Sequence, residues 1–265
     1  ISNQFFADIA RHIESATEEK GYMALFASSD ENAEKTAALV DKMLGKEVDG
    51  IILVPCEGSD DTIHYLSSQN VPFVLLDRTI PDCKSSSVCL NNVQAANDAT
   101  RHLFDEGYRK IAMMAYNTSL SHMKGRIQGY KQAMMDMGAA DEINVKFVDS
   151  KDLEHSCAKA IKTLMDDGVE AIIFATNTIA VHSLYHIQSL GLQIPSQLGL
   201  VGFDSDTAFD FFYAPLTCVQ QPVDLMARKT VEILIDNIQA GSAMCQRVET
   251  FANLMVRTSS AKKHL

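Results

Sequence analysis

Apolar residues recur along this chain in two alternating rhythms. Short, almost wholly apolar runs read as strands buried on both faces of a parallel sheet. They are Tyr22–Ala27, Ile51–Val54, Phe73–Leu76, Val88–Leu90, Ile111–Ala115, Val145–Val148, Ala171–Ala175 and Leu198–Gly202. Between them, apolar positions fall at helical spacing, as at 6, 9, 10, 13 and 16 in Phe6–Glu19. The same spacing predicts a helix from the Asn32 cap to Leu44, then helices at Asp60–Gln69, Gln94–Glu106, Lys124–Met137, His155–Asp167, Thr178–Leu190 and Val223–Ala240. Gly21, Gly45, Gly138, Gly168, Gly191 and Gly241 follow predicted helices, where a C-terminal glycine ends them. Ile194-Pro195 excludes helix, because proline disfavours a helical residue before it. Ala214–Thr217 opens a further strand closed by Gln220-Gln221-Pro222, and Arg247–Arg257 reads as a final strand pair.

Strands alternating with helices imply parallel sheets joined by right-handed crossovers. The pattern restarts at Ile111, so the expected architecture is α/β with two similar Rossmann-like lobes. No Gly/Ser-rich or Pro-rich linker separates them.

Composition narrows the function. The 265 residues are 46% hydrophobic and 22% charged, enough for a real core. There is no run of 18 apolar residues and no charged-then-apolar leader, so neither a membrane span nor a secretory signal is expected. A formal charge of −11 repels phosphate, so this stretch alone is not expected to bind nucleic acid. Six scattered cysteines without CxxC or zinc spacing read as free, buried thiols of a reducing cytoplasm. Met113, Met114, Met134 and Met135 read as adaptable core filler.

Candidate chemistry collects at the carboxyl ends of predicted strands, the edge where open α/β sheets take ligands. Asp77 and Arg78, Asn177, and Asp204 of Phe203-Asp204 stand there. Arg126 opens Arg-Ile-Gln-Gly-Tyr, Asn3 and Phe6 belong to the first loop, and Gln221 to a crossing segment. Carboxylates accept twice, guanidinium donates in a planar fork, and amides do both. Such a set satisfies a ring of hydroxyls, with Phe6 and Phe203 offering flat faces to the C–H side of a sugar. Each residue also has a plain structural alternative: Asp204 or Asn177 as helix cap, Arg78 with Asp77 as an ion pair, Arg126 as a solvated helix residue, the two phenylalanines as core. His182 and His186 stand at i and i+4 without a third ligand, and read as structural rather than metal-binding. GxGxxG, GxxxxGK[ST], GxSxG and HExxH are all absent, and nothing supports Asp77 and Asp204 as a glycosidase-like acid/base pair. No cofactor is expected.

The stretch Ile194–Pro222 closely resembles the "iP…vvGfD…PLT…Qp" signature of the LacI/GalR family of bacterial transcription regulators, and the resemblance extends to Arg257-Thr258-Ser259. It implies a periplasmic-binding-protein-like type I fold with three crossings, near Asn91-Asn92, Gln220-Gln221 and Arg247–Thr250, short segments that would act as a three-segment hinge rather than a tether. The lobes would be 1–91 plus 221–247 and 92–220 plus 248–265. The family's ligand positions fall here on Asp77, Arg78, Arg126, Asn177 and Asp204, and the Asp-Arg pair favours a sugar or sugar derivative over a purine. Thr178, Asn91 and Asn3-Gln4-Phe5-Phe6 depart from the family pattern, where Asp, Asp and Asn-Pro-Phe-Phe are usual. The family's first strand and its helix-turn-helix module are not found in this sequence. The expected function is the effector-sensing, dimerising part of a cytoplasmic regulator. A small sugar-like molecule binds between the lobes and alters operator affinity through the DNA-reading module. The competing classes are a periplasmic sugar-binding protein of a transporter and a sugar-converting enzyme on the same scaffold.

Overall fold

Short buried strands and one-sided helices assemble into two sheets, each within its own unit of the chain. The computed structural model describes residues 3–69, 71–80, 83–241 and 245–262. Ile1 and Ser2 of the expected opening loop, and the last three residues of the tail, lie outside these. In chain order the elements are α1 (Gln4–Glu18), α2 (Ala33–Leu44), β1 (Ile51–Leu53), α3 (Asp60–Ser68), β2 (Phe73–Leu76), β3 (Ser86–Leu90) and α4 (Asn92–Asp105). Then come β4 (Ile111–Tyr116), α5 (Ser121–Asp136), β5 (Asn144–Val148), α6 (Leu153–Asp166), β6 (Ala171–Phe174), α7 (Asn177–Ser189) and β7 (Gly199–Phe203). The chain closes with α8 (Thr207–Phe211), β8 (Thr217–Gln220), α9 (Val223–Ala240), β9 (Arg247–Thr250) and β10 (Asn253–Met255).

The first unit comprises Ile1–Leu90, Ser119–His122 and Pro222–Thr250. Its sheet runs β1-β2-β3-β9, every pair parallel. α1 presents Phe5, Ile9, Ile13 and Ala16 on one face, and these join Met226, Ala227, Val231 and Leu234 of α9 over Val74, Leu76 and Val88 of the strands. Gly241 ends α9 in the left-handed region at φ 60, where a side chain is strained.

The second unit comprises Asn91–Thr118, Met123–Gln221 and Phe251–Leu265. Its sheet runs β10-β8-β7-β6-β4-β5, parallel except for the antiparallel β10–β8 edge. Met114, Ile172, Phe174 and Leu200 of its strands form one core with Ile161 and Leu164 of α6 and Ile179 and Leu184 of α7. Helix α5 lies close against α4: a Cβ on Gly129 would stand 2.0 Å from the carbonyl oxygen of Val93.

Several expectations need correction. Tyr22–Ala27 forms no strand; Tyr22 and Ala24 turn toward the first unit's core, but no neighbouring strand among the described residues supplies a ladder. An apolar run is not enough for a strand without backbone partners. Arg247–Arg257 is not a strand pair: β9 joins β3 in one unit and β10 joins β8 in the other. Residues 248–250 therefore lie with the first unit, whereas Asn91 and Gln221 lie with the second. Ser119–His122, which leads into and begins α5, also belongs to the first unit, which the sequence does not suggest. Met113, Met114 and Met134 are fully buried, but Met135 is exposed.

Candidate functional site

Two strand ends carry an aspartate in the left-handed backbone region, Asp77 at φ 67 and Asp204 at φ 65. For a residue with a Cβ this conformation costs about 1–2 kcal/mol, and such strain gathers at ligand sites. The strand register makes the two alike. Leu76 pairs with Val88, and Asp77 then donates its N–H to the Val88 carbonyl at 2.9 Å. Phe203 pairs with Val219, and Asp204 donates to the Val219 carbonyl at 2.9 Å. Both carboxylates are buried, at the carboxyl end of a parallel strand.

In the first unit, Asp77 stands beside Arg78, whose Nε lies 3.3 Å from Asp77 Oδ2. Arg78 Nη1 donates to the Pro55 carbonyl at 2.9 Å and to Glu31 Oε2 at 2.7 Å. Burial lowers the pKa of this guanidinium, but the Glu31 bond and the Asp77 and Glu31 charges outweigh it and hold the group above its ordinary value. The guanidinium carbon sits 5.8 Å from the centre of the Phe6 ring. Asn3 is the N-cap of α1, its side chain accepting from Phe5 N at 2.9 Å.

In the second unit, the Arg126 guanidinium carbon lies 4.2 Å from the centre of the Phe203 ring. Its Nε donates to Asn92 Oδ1 at 2.9 Å and its Nη1 to the Ala175 carbonyl at 2.6 Å. Arg126 is therefore no solvated helix residue; it is 2% exposed. Gln221 Nε2 donates to Asp204 Oδ1 at 2.6 Å. Gln221 Oε1 is buried and finds no donor among the described residues. An unanswered buried acceptor costs about 1–3 kcal/mol, so a hydroxyl donor at this point is favoured. Asn177 is buried at the first turn of α7, its Oδ1 accepting from Thr178 N at 2.8 Å.

The structural alternatives resolve individually. Asp204 does not cap the following helix; Asp206 does, accepting from Ala208 N at 2.9 Å. Asn177 is not the cap of α7 either, since Thr176 accepts from Ile179 N at 3.2 Å. Arg78 and Asp77 do form an ion pair, and Phe203 is fully buried beneath Arg126. His186 Nε2 lies 3.1 Å from the Glu154 carbonyl, and no metal-holding group of His, Cys, Asp or Glu occurs among the described residues.

Four contributors escaped the sequence analysis. Asn92 orients Arg126; its place just after a predicted strand was the signal for it. Glu57 Oε1 accepts from the N–H and hydroxyl of Ser119, at 2.8 and 2.7 Å, and Ser121 Oγ accepts from Thr79 N at 3.0 Å. These bonds secure Ser119–His122 within the first unit. Glu31 lies 47 residues from Arg78, and no local pattern announces that pair.

Residues 2–258 match the model of the family described as periplasmic binding proteins and sugar binding domain of LacI family. The chain belongs to this family. Catabolite control protein A of Priestia megaterium is 31% identical over 228 residues, 84% of this chain and 68% of that protein. The HTH-type transcriptional regulator CelR of Thermobifida fusca is 28% identical over 264 residues, covering 98% of this chain and 77% of that protein. Among solved structures, the CelR–cellobiose complex superposes with a TM-score of 0.86 at 26% identity, over 97% of this chain and 80% of that one. A LacI family transcriptional regulator from Enterococcus faecium with bound ribose shares the fold, with a TM-score of 0.86 at 21% identity over 99% of this chain and 96% of that one. Two of these proteins are named as transcriptional regulators, CelR of the HTH type and the Enterococcus faecium protein of the LacI family. No described helix is long and apolar enough to cross a membrane.

Proposed function

We propose that this chain is the sensing part of a LacI-type transcriptional regulator and takes a small sugar-like effector at its strand-edge clusters. The observation that carries the proposal is the repeated set: a buried left-handed aspartate at a strand end and a buried arginine over an aromatic ring, once in each unit. Carboxylates accept hydroxyl protons, the guanidinium forks donate, and the open acceptor of Gln221 takes one further hydroxyl. Asn3, Phe6, Asp77 and Arg78 would serve from the first unit, and Arg126, Asn177, Phe203, Asp204 and Gln221 from the second. The cellobiose held by CelR supports the sugar class.

In the complete regulator, this part dimerises and passes its liganded state to operator DNA through a helix-turn-helix module, in the cytoplasm and without turnover of the ligand. A ligand shifts such an equilibrium only by its differential affinity for the two states. The acidic chain itself, at −11, makes no direct contribution to phosphate binding.

The test is a thermal-shift titration of the purified chain with cellobiose, glucose, ribose, adenine and guanine. Specific binding raises the midpoint by mass action. The expected result is a rise with a sugar that is lost in Arg126→Ala and Asp204→Ala. A rise with a nucleobase alone, or with none of the compounds, overturns the sugar class.

A further inference from the structure

Arg78 is 7% exposed, and its guanidinium lies between two carboxylates, Glu31 Oε2 at 2.7 Å and Asp77 Oδ2 at 3.3 Å. Its Nη1 is also committed to the Pro55 carbonyl. Glu31 reaches it from a turn in which Asp30 and Glu31 both take left-handed backbone, at φ 53 and φ 55. Lys35 at the start of α2 pairs with Asp30, so Asp30 is answered locally while Glu31 is directed to Arg78. One cation therefore meets two anions at this strand end.

We infer that the Asp77–Arg78 end of the first unit accepts an uncharged polyol and discriminates against phosphorylated or carboxylated sugars, with Glu31 setting that preference. The inference rests on the sugar-binding proposal and names the ligand class within it. A buried arginine with an open fork is a strong receiver of phosphate or carboxylate, through bidentate bonds. Here Nη1 is occupied and the charge is more than balanced. The remaining carboxylate lone pairs welcome hydroxyl donors but repel an anion brought within a few ångströms. Glu31 is itself 56% exposed along its side chain, so its charge can be removed without opening the core. Nothing in the sequence announces this role, because Glu31 lies in a polar turn before α2 and resembles any solvated loop residue.

Isothermal titration of the purified chain decides the matter, using matched neutral and anionic probes. The pairs are glucose with glucose 6-phosphate and with gluconate, ribose with ribose 5-phosphate, and cellobiose with a cellobiose phosphate. The expected result is binding of a neutral sugar with its anionic counterpart at least ~10-fold weaker, about 1.4 kcal/mol. In Glu31→Gln the gap narrows at least ~3-fold through better binding of the anion, as removal of one repelling charge requires. Glu31→Asp retains most of the discrimination, and both variants melt cooperatively. Tighter binding of the anionic partner by the wild type, or an unchanged gap in Glu31→Gln, overturns the inference and leaves sugar binding standing. Binding of neither partner in any pair overturns the sugar proposal, and the inference with it.

Discussion

Cys245 is exposed, while Cys56, Cys83, Cys157 and Cys218 are buried and all six cysteines are free. Cys89 is intermediate, and burial, reinforced by the charges of Asp77 and Glu249, pushes its thiol up to about 12. The thiolate is the reacting species, so iodoacetamide at pH 8 on the folded chain should modify Cys245 first and leave Cys89 untouched; peptide mass spectrometry reads the order. His102 offers a second test. Burial holds its pKa below 6.5, against the opposing pull of Glu106 and Asp105, and its Nε2 lies 2.7 Å from Ser260 Oγ. Below about pH 6.5 the unfolded chain therefore binds more protons at His102 than the folded chain does. Stability should fall as the pH drops through that window, and be unaffected by this group above it. A His102→Gln variant should flatten that part of a Tm-versus-pH curve. At this scale the sequence shows which side chains are capable of chemistry, but not their partners. Asp204 is legible as a strand-end carboxylate, yet its bond to Gln221 joins residues on two different strand ends.

Elements meet through contacts as specific as those of single residues. Gly129 lets α5 approach α4 so closely that an added methyl would overlap the Val93 carbonyl. Gly129→Ala should therefore destabilise by about 1–3 kcal/mol or more through overpacking, seen as a lowered midpoint in urea, whereas Ala is normally the better helix former. The short turn at Thr258–Ser260 is equally committed. Ser259 Oγ donates to the Leu200 carbonyl at 2.7 Å and accepts from Thr217 N at 2.8 Å, so it bridges β7 and β8. Ser259→Ala leaves both groups unanswered in a buried place and should cost about 1–3 kcal/mol, again in urea. Tyr22–Ala27 stands at the other extreme: Met23 is 82% exposed and no ladder among the described residues holds the segment. Hydrogen exchange should find the amides of 23–27 fast and those of β7 slow; slow exchange at 23–27 would contradict the arrangement described. Most helices are legible from spacing alone, because a one-sided apolar stripe marks a helix wherever it packs. A strand needs a neighbour, which its own residues cannot specify.

For the whole molecule, the ligand proposal has a thermodynamic form. A sugar present at 100 times its Kd should stabilise the chain by about 2.7 kcal/mol, and Asp204→Ala should abolish that gain in a melt at the same concentration. The alternation of buried strands and amphipathic helices determines the α/β class, the parallel sheets and the duplication into two units, since period and burial are properties of the chain itself. It also marks the strand ends where Asp77, Arg78 and Asp204 stand. Tertiary structure alone decides that Arg247–Met255 divides between two sheets, that Ser119–His122 joins the first unit, and that Arg126 lies buried over Phe203. It alone brings Glu31 to Arg78, across 47 residues. The physical reason is the same in each case: periodicity reports which face of a segment leaves water, whereas hydrogen-bond and charge partners are chosen among groups far apart in the chain, and only packing determines which of them meet.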